Sequence, residues 1–190
     1  MATANPKLVR RCLIVEDDVR LRDAFATLLA DHVNEVRACA TVSAALACLE
    51  EFRPELVVAD FALERGTAFD LLDRLETLAP TPVILVISGR AGPEAAFELS
   101  ERGVRRYVRK PVTPERLLEA VRSALASAPR LEPKLRAAVG TIGLREVEEL
   151  ARRTMIREAL AQKRGSRRGA AQLLGISRQL LQYALRSLSD

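Results

Sequence analysis

Residues 55–61 read ELVVADF, a nearly unbroken run of Val, Leu and Ala that closes on an acid, Asp60. A short apolar run without helical period, stopped by a charged residue, is what a strand buried on both faces of a parallel sheet requires. Four further runs flank it: RCLIV at 11–15, EVRA at 35–38, PVILVIS at 82–88 and VRRYV at 104–108. Between and after them lie segments with the period of amphipathic helices, near 19–32, 42–52, 68–78, 93–101 and 114–126. This alternation predicts an α/β domain, a doubly wound parallel sheet of five strands with helices on both faces. EVRA is polar enough to lie at an edge. Thr41 and Thr113 are placed to cap helices, Pro93 and Pro114 suit a first helical turn, and Gly103 suits a helix exit.

Beyond Leu125 the pattern breaks into SAPRLEPKLRAAVGTIG, residues 127–143, whose two prolines and two glycines read as a linker with room for one turn of helix. From Leu144 the period is helical throughout, with one helix to about Gln162, a shorter one at Arg167 to Leu174 and a last one at Arg178 to Leu188. The expected organisation is therefore a first domain at 1–126, the linker at 127–143 and a small all-α domain at 144–190. Charge divides at the same place. Residues 1–126 carry 17 Lys and Arg against 19 Asp and Glu, whereas residues 127–190 carry 13 against 6. A basic tail beside a near-neutral body is the electrostatic footprint of nucleic-acid binding, a solvated surface being the alternative.

Several classes are set aside by composition. No stretch approaches the roughly 18 apolar residues of a membrane span, so a cytoplasmic protein without a membrane partner is expected. Cys12, Cys39 and Cys48 are odd in number and lack C-x-x-C spacing; they read as small buried hydrophobes rather than disulfide or zinc ligands.

Chemistry concentrates at the strand ends. Glu16, Asp17 and Asp18 follow the first run and Asp60 follows the third, so a doubly wound sheet brings them to its carboxyl edge, where ligands bind. One such carboxylate alone would be an ordinary solvated loop residue. Three meeting together repel unless a cation intervenes, and a hard, oxygen-lined site suits Mg²⁺. Ser88 ends the fourth run and Lys110-Pro111 the fifth, adding a hydroxyl and an ammonium to the same edge.

The series VEDD, VVADF, VISGR and YVRKP, in this order and spacing, resembles the receiver domains of two-component response regulators over about residues 10–126. The resemblance implies a flavodoxin-like fold and a role for each station. Asp60 is the phosphoacceptor, charged by a sensor histidine kinase; Glu16, Asp17 and Asp60 hold Mg²⁺ together with the backbone carbonyl of Ala62. Ser88 is the switch hydroxyl, Lys110 the phosphate-side cation and Tyr107 the rotating aromatic, an aromatic half-buried at a sheet edge being the ordinary alternative for Tyr107. Asp18 falls at a variable position and reads as a solvated helix-start acid, and His32 as a solvated residue at a helix end. Hydrolases with an Asp nucleophile expect a second Asp two residues later, where this chain has Ala62.

The tail segment GSRRGAAQLLGISRQLLQYALRSL, residues 165–188, has the grammar of a helix-turn-helix. Ala170 and Ala171 allow two helices to approach, Gly175 suits a turn with positive φ, and Ser177 can cap the next helix. Leu173, Leu174, Ile176, Leu181, Leu185 and Leu188 are the expected core. Through GxxxxAAxLLGISR the segment resembles the Fis-like domain at the end of nitrogen-regulation activators and of regulators of the RegA/ActR/PrrA group. That resemblance implies a homodimer built by the preceding helix and a last helix in the major groove of double-stranded DNA. Arg178 and Gln182 would read base edges beside Ser177, Gln179 and Tyr183, while Arg167, Arg168 and Arg186 hold phosphates. The chain departs from the family at Leu180, where Thr is usual, and at Gln182 and Ala184, where basic residues are common. No G-x-x-x-x-G-K-[ST] occurs, so a central ATPase is not expected. A tail that only dimerises, behind a receiver serving as phosphate sink or interaction switch, is the competing reading.

Overall fold

The five apolar runs form the strands β1 (Val9–Val15), β2 (Val33–Cys39), β3 (Leu56–Asp60), β4 (Val83–Ser88) and β5 (Arg106–Arg109). They alternate with the helices α1 (Val19–Ala30), α2 (Val42–Phe52), α3 (Ala68–Leu75), α4 (Pro93–Glu101) and α5 (Pro114–Ala126). This computed structural model describes residues 7–64, 66–89, 92–126 and 131–187. The chain divides into two compact units after Ser127.

In the first unit all strands are parallel and ordered β2-β1-β3-β4-β5, so β3 lies at the centre. Successive side chains of a strand point to opposite faces, which sorts the apolar residues into two cores. Leu13, Val15, Val57, Ala59, Ile84 and Val86 pack under α2, α3 and Leu99 of α4. Cys12, Ile14, Leu56, Val58, Leu85 and Ile87 pack under α1 and α5. Every residue of β3 is buried, as its unbroken apolar run requires. Burying one Leu or Ile fully is worth ~1.5–3 kcal/mol, so the centre of the sheet is the firmest place from which to hold a site. The polar β2 is an edge strand, with Asn34 and Glu35 exposed, and the four-residue β5 is the other edge.

Local signals set the helix ends. Asp18 accepts hydrogen bonds from the Arg20 and Leu21 amides at 2.8 and 3.0 Å and so caps α1. Thr41 caps α2 through the Ala44 amide, and Thr113 accepts from the Arg116 amide in the first turn of α5. Gly103 leaves α4 at φ +82°. Two helices are shorter than expected. α3 stops at Leu75 rather than 78, because the Thr77 and Leu78 amides bond the carbonyls three residues back and the Thr77 hydroxyl donates to the Arg74 carbonyl at 2.8 Å, closing tight turns ahead of Pro80. α1 stops at Ala30, with the His32 amide bonded to the Leu29 carbonyl.

The second unit holds α6 (Glu132–Ala138), α7 (Leu144–Gln162), α8 (Arg167–Leu174) and α9 (Arg178–Ser187). α6 falls within the expected linker, is longer than the single turn foreseen there and buries no residue. Ile156, Ala159, Ala170, Ala171, Leu181 and Ala184 form the core, with Leu160, Leu174, Ile176 and Leu185 partly buried around it. Gly175 takes φ +67° and the Ser177 hydroxyl accepts from the Leu180 amide at 3.1 Å, as the turn requires. Leu173, expected in this core, is instead 47% exposed. α8 turns its small face, Ala170 and Ala171, inward, and the 3.6-residue period places Leu173 roughly 100° away from that face. Leu188 lies outside the described residues.

Cys12 is buried, while Cys39 and Cys48 are half-buried against the core of their face. Burial pushes the Cys12 thiol up to about 12, and burial together with the neighbouring Cys48 pushes Cys39 up to about 11, so both stay protonated and inert. Among the described residues, no helix is long and apolar enough to cross a membrane.

Candidate functional site

Each station of the carboxyl edge is delivered by the end of a strand. Glu16 follows β1 directly, Asp60 is the last residue of β3, Ser88 the last of β4, and Lys110 comes one residue after β5. Pairing of Asp60 with Ile87 and of Ser88 with Arg109 fixes their relative heights. Glu16, Asp60 and Ser88 are all buried, an uncommon condition for two carboxylates.

One ammonium compensates both acids. Lys110 Nζ lies 2.8 Å from Asp60 Oδ2 and 2.9 Å from Glu16 Oε2, with Glu16 Oε1 at 3.2 Å. Burial pushes the Glu16 carboxyl up, and the nearby Asp60 charge adds to that, while the Lys110 hydrogen bond works against it; the net result lies above the usual carboxylate range. Burial presses the Lys110 ammonium towards losing its proton, but the hydrogen bonds it donates to Asp60 and Glu16 outweigh that and leave the group raised. Asp17 completes the cluster: Glu16, Asp17 and Asp60 each offer a carboxylate oxygen, all within 4.8 Å of one another. Three carboxylates and one ammonium sum to two negative charges, which one divalent cation would neutralise.

The remaining stations lie around this centre. The Lys110 amide donates to the Ser88 carbonyl at 2.8 Å, tying the two strand ends together. A Cβ on Gly89 would come 3.8 Å from Lys110 Cβ, in ordinary contact. Ala62 pairs with Thr67 in an isolated antiparallel bridge just past β3, in the loop beside Asp60. Tyr107, opposite Val86 on β5, is half-buried against the α2–α3 core. Asp18 is not one of the clustered carboxylates; its side chain caps α1. One contributor is not legible from sequence. Arg22, half-buried on α1, donates from one guanidinium nitrogen to the carbonyls of Glu16 and Asp17 at 2.9 and 3.2 Å, pinning the loop that carries both acids. An arginine one turn into a helix gives no signal of this, since its partners are backbone atoms.

In the second unit, α9 buries Leu181 and Ala184 and exposes Arg178, Gln179, Leu180, Tyr183 and Arg186. Ser177, Arg167 and Arg168 are exposed as well, whereas Gln182 is half-buried. From Ala159 to Ser189 the chain has six Lys or Arg and no Asp or Glu.

Residues 12–122, more than half of the chain, match the response regulator receiver domain. The chain is a response regulator. Residues 144–188 match the Fis family of bacterial regulatory proteins, so the receiver is followed by a Fis-type helix-turn-helix. Only residues 123–143 separate the two matches, too few for an ATPase domain between them. The regulator is 30% identical over 124 residues to the DNA-binding transcriptional regulator NtrC of Bradyrhizobium sp. (strain RP501 Parasponia), covering 65% of this chain and 25% of that one. It is 28% identical to the DNA-binding response regulator MtrA of Mycolicibacterium smegmatis, covering 61% of this chain and 50% of the other. Among solved structures, a CheY-like receiver domain protein from Methanospirillum hungatei JF-1 superposes with a TM-score of 0.58 at 30% identity, over 62% of this chain and 94% of that one. The regulator thus spans a quarter to a half of the length of these two curated relatives.

Proposed function

We propose that this response regulator accepts a phosphoryl group on Asp60 from the phosphohistidine of a sensor histidine kinase and so controls transcription through its helix-turn-helix. The observation that carries the reading is Lys110 Nζ set between Asp60 and Glu16, at 2.8 and 2.9 Å, at the end of the central strand. Lys110 engages Asp60 Oδ2, which leaves Oδ1 to attack phosphorus. The O–P bond forms as the N–P bond breaks, and the imidazole leaves with the electron pair and takes up a proton. Lys110 then neutralises part of the charge on the transferred oxygens, and positioning does most of the work. Glu16, Asp17 and Asp60, with the Ala62 carbonyl, are the residues that would hold Mg²⁺; the metal supplies charge stabilisation at the phosphoryl oxygens. Arg22 keeps the Glu16–Asp17 loop in place throughout. The Ala62 methyl is too short to orient a hydrolytic water.

The regulator is not an enzyme acting on other molecules; it assists only its own phosphorylation and dephosphorylation. Ser88, buried at the end of β4, would bond the phosphoryl group, and Tyr107 on the adjoining strand would move in response, biasing a two-state element. The receiver is taken to end at 126, the linker to run to 143 and the output domain to occupy 144–190. Acting in the cytoplasm as a homodimer, the output domain would place α9 in the major groove, with Arg178, Gln179 and Gln182 at base edges and Arg167, Arg168 and Arg186 on phosphates.

The test is acyl-phosphate labelling by a small phosphodonor with Mg²⁺. Wild type is expected to be labelled, Asp60→Asn to be unlabelled, and chelator to abolish the wild-type signal. Undiminished labelling of the Asn variant would remove Asp60 from its role.

A further inference from the structure

α9 presents one exposed aliphatic side chain in its first turn. Leu180 is 51% exposed, while its neighbour Leu181 is fully buried in the core of the second unit. Leu180 is not needed for that core, and an aliphatic side chain left in water gains from being covered. Charge says what covers it. The exposed neighbours are Arg178 and Gln179 before it and Tyr183 and Arg186 after it, in a 31-residue stretch with six basic and no acidic residues. A surface of that sign is complementary to phosphate backbones.

The first turn of a recognition helix is the part that enters the major groove. Here the turn is held in place by its own cap, the Ser177 hydroxyl accepting from the Leu180 amide itself at 3.1 Å. Arg and Gln recognise guanine and adenine by paired hydrogen bonds, whereas thymine shows the groove a 5-methyl group that only an apolar contact can read. We infer that Leu180 is a specificity-determining residue that packs on the 5-methyl group of a thymine, once per half-site. The inference rests on the placement of α9 in the major groove.

The experiment uses the full-length chain. Duplexes are first selected from a random-sequence library by wild type and by Leu180→Ala, and thymines of the wild-type consensus are then replaced one at a time by deoxyuridine, which removes only the methyl group. Wild type is expected to enrich a thymine at one position of each half-site and to lose about fourfold in affinity on its replacement, the equivalent of one buried methyl-sized group. Leu180→Ala should tolerate any base there and be indifferent to the replacement. The deoxyuridine arm needs no variant, so it stands even if Leu180→Ala folds poorly. Wild type binding its consensus but indifferent to deoxyuridine everywhere would overturn the inference, as would an equal penalty in Leu180→Ala. Failure of wild type to enrich any motif would overturn the placement of α9 itself, and the inference with it.

Discussion

Lys110 does with one ammonium what two separate ion pairs would otherwise do. Glu16 is 1% exposed, and Asp60 is buried beside it. Taking away the shared cation leaves two buried carboxylates facing each other, a far costlier change than losing a surface pair. Lys110→Ala is therefore expected to destabilise the chelator-treated protein by roughly 3 kcal/mol in urea unfolding. Added Mg²⁺ should recover most of the loss, because a divalent cation among Glu16, Asp17 and Asp60 replaces the missing charge. Equal losses with and without Mg²⁺ would contradict that account. At this scale the sequence announced the acids, the hydroxyl and the lysine, since each stands at the end of an apolar run whose strand character is unmistakable. It was silent on Arg22, whose partners are carbonyls, and it left Tyr107 between a moving and a packing role, because half-burial at a sheet edge suits both.

At the scale of elements, the helix starts were legible and some ends were not. Caps are side chains at fixed offsets, as at Thr41, Thr113 and Ser177. The end of α3 depends on whether three more residues prefer tight turns to one more helical turn, and periodicity does not weigh that. The start of α3 carries a capping box: the Thr67 amide donates to Asp70 Oδ2 at 2.7 Å, and the Thr67 hydroxyl accepts from the Phe69 amide at 3.2 Å. Hydrogen bonds from the Thr67 amide and hydroxyl hold the Asp70 carboxyl below its ordinary 3.8. A depressed folded-state pKa means that the native state binds the proton less readily than the unfolded chain. The contribution of Asp70 is thus fully present above the unfolded value and is lost as pH falls through the folded one. Asp70→Asn is expected to flatten the stability profile below about pH 4 relative to wild type, followed by amide circular dichroism across an acid titration. Parallel profiles for the two proteins would show that the box does not couple to protonation.

On the scale of the whole molecule, the division of charge was readable by counting, and so was the division into an α/β body and a helical tail. Less legible was how α8 packs, since two alanines outcompete a leucine for the inner face, and only the helical phase decides that. The acid-free stretch from Ala159 to Ser189 makes a prediction about salt. Removing one arginine proposed to hold phosphate, as in Arg168→Ala, should make the plot of log affinity against log salt shallower by about one, without altering the preferred sequence. Titrations at several salt concentrations, on the consensus and on an unrelated duplex, measure both. A changed sequence preference with an unchanged slope would move Arg168 from the backbone to a base.

The edges of the sheet bear on how this protein fares at high concentration. An exposed strand is a template on which another chain can add, and long, flat, apolar edges are where soluble proteins start to aggregate. Here one edge, β2, carries Asn34, Glu35 and Arg37, and the other, β5, is only four residues long and holds Arg106 and Arg109. The nearly continuous apolar strands β3 and β4 are shielded between neighbours on both sides. Partial unfolding that strips away an edge would therefore be more hazardous than self-association of the intact sheet.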